Sequence, residues 1–341
     1  MNATEAFARY RSDIDAELKS VLDGRRLPLY DMMRYHLGWN DERGNPQPCP
    51  GGKALRPTLC LLACDAVGGD YRKALPAAAA LEFVHNFSLI HDDIQDDDKE
   101  RRHRPTVWSI WGKPQAINAG SAMHILANAS LSRLGAGGIP LDKQVRAQQI
   151  IDSSCLSLIE GQYLDISFET RLDITTGDYL DMVGKKTAAL IAASLEVGAL
   201  LGTDDPSTIE KICCIGWNIG LAFQIKDDIL GIWGDAQHTG KTAYGDIIRK
   251  KKSFPVIYAL DRATGQALNE LVDFYSNGVS SRDAVGRVVN ILENLDSQAE
   301  SQKMAGKYRD DALVILDGLS IPEQARRELR AVFDFLVVRN F

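Results

Sequence analysis

Aspartates at the end of an apolar segment have the spacing of divalent-cation ligands. In the motif DDIQD, Asp92 and Asp96 stand four residues apart and share one face if a helix reaches residue 96. Like charges one helical turn apart repel each other, and a divalent cation between them reverses the sign of that interaction. Carboxylate oxygens suit Mg²⁺, which takes one or two carboxylates together with substrate phosphates. The motif therefore indicates a magnesium–phosphate site, with a solvated acidic helix end as the alternative when the run is taken alone.

A second pair of acids, Asp227 and Asp228, stands at the end of another apolar segment, in FQIKDDILGIWGD. The position four residues after Asp227 is Gly231 rather than an acid, and Asp235 lies eight residues on, about 80° around a helix. The sequence leaves open whether Asp228 or Asp235 compensates for Gly231. Two acidic motifs at helix ends, each followed by cations, favour a site over a solvated surface.

Basic residues accompany both acidic motifs and a glycine-rich loop. In GGKALRP, residues 51–57, Lys53 and Arg56 stand three residues apart, which places both on one face of a helix that starts there. The N–H groups of a helix N-terminus favour anions, whereas the Walker A spacing GxxxxGK[ST] is absent. An ordinary helix start with solvated bases is the alternative. Arg101 and Arg102 follow the first acidic motif, and Lys241 and the cluster Arg249, Lys250, Lys251 and Lys252 follow the second.

The segments that must position these residues have a helical period. Apolar residues recur at steps of three and four, and no run of alternating β-branched residues is found. Ten or more helices joined by short loops predict an all-α fold. We expect one domain over residues 1–341, with 38–52 as a surface loop, because the preceding stretch is too short to form a core alone. The clearest predicted helices are 4–22, 74–91, 142–168, 177–201, 206–233, 281–297 and 322–338.

Composition narrows the class of protein. The 341 residues carry 39 basic and 46 acidic side chains, a net charge of −7, which argues against nucleic acid as the main partner. No apolar run reaches the roughly 18 residues that a membrane span needs, and the N-terminal residues lack the apolar core of a signal peptide. None of the six cysteines forms a CxxC motif, so reduced thiols and a cytoplasmic location are expected.

Taken together and in this order, the motifs resemble those of the trans-isoprenyl diphosphate synthase family, the polyprenyl synthetases, and most of all the geranylgeranyl diphosphate synthases. The resemblance rests on GGKALRP, DDIQD with the arginines after it, Gly161 to Asp165, Lys186 with Thr187, and FQIKDD. It implies a single large helical bundle of the isoprenoid synthase type around a central apolar cavity, and a homodimer. It also implies Mg²⁺ as cofactor, with isopentenyl diphosphate and an allylic prenyl diphosphate as substrates.

The resemblance implies a role for each matching position. Asp92, Asp96 and Asp227 would bind Mg²⁺, with Asp227 on the opposite wall of the site. Thr187 and Gln224 would face the allylic carbons. The cations that would contact the allylic diphosphate are Arg101, Lys186, Lys241 and Lys251. The groups that would hold the diphosphate of isopentenyl diphosphate are Lys53, Arg56, His85 and Arg102.

The expected product length follows from the residues before the first motif. Phe87 and Ser88 stand five and four residues before Asp92. In the family, aromatic residues at both places favour a fifteen-carbon product, whereas one aromatic at the earlier place resembles the twenty-carbon synthases. Geranylgeranyl diphosphate is therefore the expected product, and His91 and His124 are expected to be structural.

The sequence departs from the family pattern at Gly231, at His103, where glycine usually follows the paired arginines, and at Ser121, where aspartate is frequent. Two other functions remain open. A terpene cyclase would ionise the same kind of substrate, but it has no need for the second basic site. A non-catalytic subunit of a heteromeric synthase is the other alternative, and Gly231 is its support.

Overall fold

The computed structural model describes residues 3–47, 52–234, 244–276 and 279–338. Lys241 and Asp235 therefore lie outside the described residues. The all-α prediction of ten or more helices is confirmed. The helices of the described ranges are α1 (Ala3–Leu22), α2 (Pro28–His36), α3 (Leu55–Ala66), α4 (Tyr71–Gln95), α5 (Val107–Trp111), α6 (Lys113–Leu131), α7 (Leu141–Phe168), α8 (Thr176–Val183), α9 (Ala189–Gly202), α10 (Pro206–Trp233), α11 (Gly245–Ile248), α12 (Phe254–Arg262), α13 (Gly265–Ser276), α14 (Arg282–Asn294), α15 (Ser297–Asp317) and α16 (Glu323–Val338).

The chain groups into two compact units. The first comprises Met1–Ser153, Ala193–Cys213 and Ser320–Ala331, and the second comprises Ser154–Ala192, Cys214–Leu319 and Val332–Phe341. Helices α7, α9, α10 and α16 contribute residues to both units. A single domain over the whole chain stays a prediction.

In the first unit, α4 is the central helix and packs against α3 and α6. A run of four buried alanines, 77–80, gives part of α4 a thin profile, so that neighbouring helices approach its backbone closely. The Asp70 side chain caps the helix by accepting a hydrogen bond from the Arg72 N–H. Larger buried residues such as Leu81 and Phe83 fill the remaining volume. The helix therefore presents its C-terminal end from a rigid core.

A short β-ribbon follows α4. Strand β1 (Glu100–Arg101) pairs antiparallel with β2 (Arg104–Pro105). The two turn residues, Arg102 and His103, have φ values of 53° and 60°, the left-handed pair that a tight hairpin turn requires. A ribbon of two residues per strand is too short to produce an alternating pattern, so sequence periodicity does not detect it. The positive φ at His103 also explains why glycine suits that position better.

In the second unit, a cluster of buried side chains from α10 to α14 forms the apolar core, with Ile232, Ile247, Val256 and Leu271 among them. Helix α12 packs against α8 and α15. The predicted helix 177–201 is three segments: α8, a π-helical turn at Gly184–Ala188, and α9. That turn is part of the candidate site.

Two further expectations concern the whole chain. Within the described ranges, no helix combines the length and the apolar character needed to cross a bilayer. None of the cysteines that the structure describes is in a disulfide, whereas Cys49 lies outside those residues.

Candidate active site

The first acidic motif lies at the C-terminal end of α4. The helix ends at Gln95, and the Asp96 N–H still donates to the Asp92 carbonyl oxygen at 2.9 Å. Asp96 therefore follows Asp92 by one helical turn, as the sequence predicts. Asp92 is half-buried and Asp96 is exposed. The two carboxylates can both reach a ligand at this helix end.

The acid between them has a different environment. Asp93 is 1% exposed, and the Arg101 Nε donates to its Oδ1 at 2.7 Å. Burial raises the pKa of the Asp93 carboxyl to about 6, although the Arg101 guanidinium opposes the shift. Arg101 Nη2 lies 3.8 Å from Asp92 Oδ2. The sequence analysis missed Asp93, which ties the β-ribbon to α4 and directs Arg101 to the first motif.

The glycine-rich loop places its cations differently from the sequence prediction. Ala54 has a left-handed φ of 48° and caps α3, which begins at Leu55. Lys53 thus precedes the helix and is exposed, whereas Arg56 lies in its first turn. The prediction that both share one helix face was wrong, because the left-handed residue between them breaks the helical period.

A buried carboxylate, Glu82, accompanies the predicted anion contacts. Its side chain is 6% exposed, and its Oε1 accepts a hydrogen bond from Asn86 Nδ2 at 3.0 Å. Burial lowers the pKa of the Arg56 guanidinium to about 10, and Glu82 is the charged group that opposes this shift. Burial also lowers the pKa of Arg102, again opposed by Glu82. The sequence did not indicate Glu82, because the spacing of apolar residues says nothing about a single acid within an apolar helix.

His85 lies one turn further along α4. Burial and then the positive charges of Arg56 and Arg102 hold the pKa of its imidazole well below the ordinary value of 6.5. The ring is therefore neutral at physiological pH and can donate one hydrogen bond to an anion without a charge of its own.

Gly52 lies close to the end of the Arg102 side chain. A Cβ on Gly52 would lie 2.4 Å from Arg102 Nη2 and 2.8 Å from its Cζ. The Gly52 carbonyl oxygen accepts a hydrogen bond from Arg11 Nη1 at 2.8 Å. The glycine-rich loop thus packs directly on the guanidinium of Arg102, and α1 supports it from its other side.

The predicted chain-length residues lie in the last turns of α4. The Phe87 ring is buried, 4.9 Å from the His124 ring on α6 and 5.8 Å from the His91 ring. Both histidines are half-buried and pack around the Phe87 ring. Ser88 is half-buried, and its Oγ donates to the His85 carbonyl oxygen at 2.7 Å. Ser88 shares a face with Asp92, whereas Phe87 faces α6.

In the second unit, Asp228 is the centre of a hydrogen-bond network. Its carboxylate is 0% exposed and accepts hydrogen bonds from four groups. These are Tyr179 OH at 2.6 Å, Lys251 Nζ at 2.9 Å, the Phe254 N–H at 2.9 Å and Gln224 Nε2 at 3.1 Å. A carboxylate with four donors around it holds those four groups in fixed positions. Its neighbour Asp227 is half-buried.

Glycines on two helices accommodate the π-helical turn that carries Lys186 and Thr187. A Cβ on Gly161 of α7 would lie 2.2 Å from the Lys186 nitrogen, and one on Gly220 of α10 would lie 2.5 Å from the Ala188 Cα. Any larger residue would push the backbones apart. Such irregular turns are frequent at functional sites.

The side chains on this turn are held by their neighbours. Lys186 Nζ forms an ion pair with Asp165 on α7. Thr187 Oγ1 donates to Gln224 Oε1 at 2.9 Å, and Gln224 donates in turn to Asp228. The structure therefore joins Thr187 and Gln224, which the resemblance places at the allylic carbons, and Lys186 stands next to Thr187 on the same turn.

Lys251 lies between two carboxylates. Its Nζ is 2.9 Å from Asp228 Oδ1 and 3.8 Å from Asp246 Oδ2. Burial alone lowers the pKa of this ammonium, but the two carboxylates outweigh burial and hold the pKa well above its ordinary value. Lys251 is thus a permanently charged group in a fixed position.

The sequence of this chain matches a known protein family. The model of the family described as polyprenyl synthetase matches residues 46–292. The chain belongs to the polyprenyl synthetase family. Its fold is that of the isoprenoid synthases, and its reaction class is head-to-tail trans-prenyl transfer that forms a prenyl diphosphate.

Curated polyprenyl synthetases of Mycobacterium tuberculosis are among the similar proteins. A (2E,6E)-farnesyl diphosphate synthase is 38% identical over 330 residues, which is 96% of this chain and 90% of that protein. A geranylgeranyl diphosphate synthase is 41% identical over 267 residues, which is 78% of this chain and 75% of that protein. The relatives thus include two different product lengths.

Solved structures of similar proteins superpose on this chain over nearly its whole length. A polyprenyl synthetase from Streptomyces coelicolor superposes with a TM-score of 0.90 at 36% identity, covering 98% of this chain and all of that one. A geranylgeranyl pyrophosphate synthase from Corynebacterium glutamicum, solved with isoprenyl diphosphate and magnesium, superposes with a TM-score of 0.83 at 25% identity. It covers 99% of both chains.

The donor atoms of this polyprenyl synthetase suit Mg²⁺ that is shared with a substrate. In the part of the chain that the structure describes, no three His, Cys, Asp or Glu side chains group closely enough to hold a metal by themselves. At the end of α4, Asp92 is half-buried and Asp96 is exposed, so that both carboxylates are open to such an ion. Mg²⁺ completes its shell with phosphate oxygens and water, so this donor set fits the ion.

Proposed function

We propose that this polyprenyl synthetase is a Mg²⁺-dependent geranylgeranyl diphosphate synthase, which condenses isopentenyl diphosphate with an allylic prenyl diphosphate. The Asp228 network carries the proposal, because it orients Lys251, Gln224 and, through Gln224, Thr187 around one buried carboxylate. Such a fixed array of donors suits an enzyme that stabilises charge on a leaving diphosphate.

The proposed roles follow the family motifs position by position. Asp92, Asp96 and Asp227 bind Mg²⁺. Thr187 and Gln224 face the allylic carbons. The cations of the allylic diphosphate site are Arg101, Lys186, Lys251 and Lys241, of which Lys241 lies outside the described residues. The groups of the isopentenyl diphosphate site are Lys53, Arg56, His85 and Arg102.

Ionisation of the allylic substrate breaks its C–O bond and leaves diphosphate. Mg²⁺, when bound, neutralises the charge that develops on the leaving oxygen. Lys251 and Arg101 contribute fixed positive charge, because Asp228 and Asp93 already hold them in place before substrate arrives. No reorganisation of these side chains is then needed during the reaction.

Condensation needs the alkene of isopentenyl diphosphate close to the allylic cation. The neutral imidazole of His85 and the guanidinium groups of Arg56 and Arg102 suit a diphosphate held without metal. The Thr187 hydroxyl and the Gln224 amide offer oxygen dipoles but no strong nucleophile. The released diphosphate takes the final proton, so no protein base is required.

Phe87 supports a twenty-carbon product. Its ring is buried against His124, and the half-buried residue beside it is the small Ser88. One bulky side chain in the last turns of α4 limits the chain less than two would. The similarity to both a farnesyl and a geranylgeranyl diphosphate synthase makes product length the property to measure.

We also propose a homodimer. The second half of α7 exposes an apolar stripe at helical spacing, formed by Leu156, Ile159, Tyr163 and Ile166. Tyr163 is 72% exposed, and contiguous apolar surface of this kind marks interaction sites. I159E should give a monomer in size-exclusion chromatography, whereas V314E, at an isolated exposed valine on α15, should leave the elution volume unchanged. Co-elution of I159E with the wild type would contradict the interface.

The test of function is incubation of the purified chain with isopentenyl diphosphate, each allylic starter and Mg²⁺, followed by mass analysis of the dephosphorylated products. A twenty-carbon alcohol that requires isopentenyl diphosphate supports the proposal. A product formed without isopentenyl diphosphate would instead identify a cyclase. Inactivity that a second chain restores would identify a non-catalytic subunit.

A further inference from the structure

Arg11 of α1 reaches from the N-terminal helix to the glycine-rich loop. Its Nη1 donates to the Gly52 carbonyl oxygen at 2.8 Å, and its Nε donates to Asp15 Oδ2, also at 2.8 Å. Asp15 stands one helical turn after Arg11, so its carboxylate directs the planar guanidinium toward the loop. Arg11 precedes residues 46–292, which the family model matches, and none of the motifs quoted above contains it.

The loop that Arg11 contacts lies against a second guanidinium group. A Cβ on Gly52 would be 2.4 Å from Arg102 Nη2, so the loop backbone packs on Arg102 while its carbonyl oxygen accepts from Arg11. Ala54, two residues on, has the left-handed φ of 48° that is unfavourable for a residue with a Cβ. Such a conformation persists only where surrounding contacts hold it. The hydrogen bond from Arg11 is a contact of this kind.

The helix that carries Arg11 is itself anchored. Tyr10 is 0% exposed, and its hydroxyl donates to Asp65 Oδ2 of α3 at 2.5 Å. Arg9 Nη2 donates to Glu328 Oε1 of α16 at 3.0 Å. Because α3 begins directly after the glycine-rich loop, this part of α1 and the loop are both tied to the same helix. Arg11 therefore acts on the loop from a fixed position.

The charge of Arg11 also acts near the predicted isopentenyl diphosphate site. Arg11, Gly52, Glu82 and Arg102 line one small cavity. Burial is the main cause that lowers the pKa of Arg102, and the positive charges of Arg101 and Arg11 add to it, whereas Glu82 opposes it. Guanidinium groups this close together raise the positive potential at one place, which favours a bound anion.

We propose that Arg11, oriented by Asp15, is a positioning residue of the isopentenyl diphosphate site, and that it holds the glycine-rich loop against Arg102 in the geometry that binds the diphosphate. This inference rests on the proposed function, which assigns that diphosphate to the loop and to Arg102. Arg11 contacts the loop backbone and not the reacting atoms. Its loss should therefore weaken the binding of isopentenyl diphosphate and leave that of the allylic substrate unchanged.

The experiment compares R11Q, R11K, D15N and the double variant R11Q/D15N with the wild type. Steady-state kinetics give kcat and the separate KM values for isopentenyl diphosphate and the allylic substrate. Thermal unfolding gives the stability of each variant. Calorimetric titration with inorganic pyrophosphate in the absence of Mg²⁺ measures the anion site that needs no metal.

Arg34 offers a matched control on α2. Its guanidinium likewise donates to an acid of its own helix, Asp31 at 2.7 Å, and to backbone carbonyl oxygens, those of Arg25 at 2.8 Å and Leu22 at 3.0 Å. These carbonyl groups belong to the junction between α1 and α2 and not to the glycine-rich loop. We expect R34K to change the unfolding temperature and to leave both KM values and the pyrophosphate affinity unchanged.

R11Q should raise the KM for isopentenyl diphosphate about tenfold, the scale of one charge-assisted hydrogen bond. Metal-free pyrophosphate binding should weaken by a similar factor, while the KM for the allylic substrate changes by less than about twofold. R11K keeps the charge but loses the fork that contacts both Asp15 and Gly52, so its effect should be smaller. Because Asp15 acts through Arg11, R11Q/D15N should be no worse than R11Q.

A purely structural role would lower the unfolding temperature of R11Q without separating the two KM values, and that result would overturn the proposal. Unchanged KM and unchanged pyrophosphate affinity would overturn it as well. R11K carries the same test if R11Q does not fold. If the wild type forms no prenyl product, the proposed function fails, whereas the pyrophosphate titrations of the wild type and R11Q still decide whether Arg11 acts on an anion site.

Discussion

Arg101 and the buried Asp93 form a hydrogen-bonded ion pair, with Arg101 Nε 2.7 Å from Asp93 Oδ1. The same guanidinium lies 3.8 Å from Asp92. A planar guanidinium can serve two carboxylates at once, whereas an ammonium is a point charge. The pair therefore sets the position of a cation beside the first acidic motif.

R101K should lower kcat/KM by one to two orders of magnitude, about 1.4 to 2.8 kcal/mol. The lysine keeps the charge but loses the fork that contacts Asp93. Steady-state kinetics with the allylic substrate varied would measure the change. R133K is the control, because Arg133 forms a surface ion pair with Glu17 and such pairs contribute little. Equal activity of R101K and R133K would contradict the role of the fork.

D228N should be far less stable than the wild type. The amide removes the charge that Lys251 and Tyr179 contact, and one of its atoms becomes a donor facing other donors. Breaking a buried pair costs about 3–5 kcal/mol. Denaturant unfolding would measure the loss, with D152N on the exposed face of α7 as the control. A loss below about 1 kcal/mol would show that the network contributes little.

E82Q should lower stability in a way that an anion repairs. Glu82 is the carboxylate whose charge raises the pKa of both Arg56 and Arg102, so its neutralisation leaves these two cations with less compensating negative charge. Inorganic pyrophosphate should then raise the unfolding temperature of E82Q more than that of the wild type, by linkage of binding to folding. Thermal melts with and without pyrophosphate test this. The control E293Q, at an exposed residue of α14, should respond as the wild type does.

F87A should lengthen the product beyond that of the wild type. Removing the ring that packs on His124 opens space in the last turns of α4. Mass analysis of dephosphorylated products measures chain length directly. F274A removes a buried ring in the second unit and should change stability without changing chain length. An unchanged product length in F87A would refute the assignment of Phe87 as a residue that limits the length of the product.

Stability should fall as the pH drops, and His36 should contribute. Burial, then Arg102 and Arg101, lower the pKa of this imidazole to about 3, from an ordinary value of 6.5. Between these values the unfolded chain binds more protons than the folded chain, so the free energy of unfolding decreases as pH falls through that window.

H36Q removes this proton-linked term. Its unfolding temperature should therefore decrease less than that of the wild type when the pH is lowered from about 7.5 to about 5. If the unfolding temperatures of H36Q and the wild type decreased by the same amount over that range, His36 would not be a source of the pH dependence.

The helices follow from local sequence. Helix α10 was predicted at 206–233 and is found there, and α1 and α7 differ from prediction by one residue at their starts. The spacing of apolar residues determines these elements, because it depends on the period of one helix alone. The one-turn spacing of Asp92 and Asp96 was predictable for the same reason.

The sequence predictions are wrong or incomplete where the structure depends on backbone dihedral angles or on contacts between residues that are distant in the sequence. Ala54 adopts a left-handed φ that removes Lys53 from the helix of Arg56, and no spacing rule shows it. The π-helical turn interrupts the predicted helix 177–201 beside Gly161, which stands some twenty residues earlier in the sequence. These features depend on which backbone segments pack against each other in the folded protein.

The sequence by itself determined the helical class, the family motifs and the chemistry of their carboxylates and cations, because these depend on residue type and short spacing. Tertiary structure alone decided the function of each acid within a motif. Asp93 accepts a hydrogen bond from Arg101, and Asp228 accepts hydrogen bonds from four donors. The Asp246 carboxylate lies beside Gly231, fifteen residues earlier in the chain, and near the Lys251 ammonium. The physical reason is burial, since an acid removed from water must find its partner wherever the fold places one.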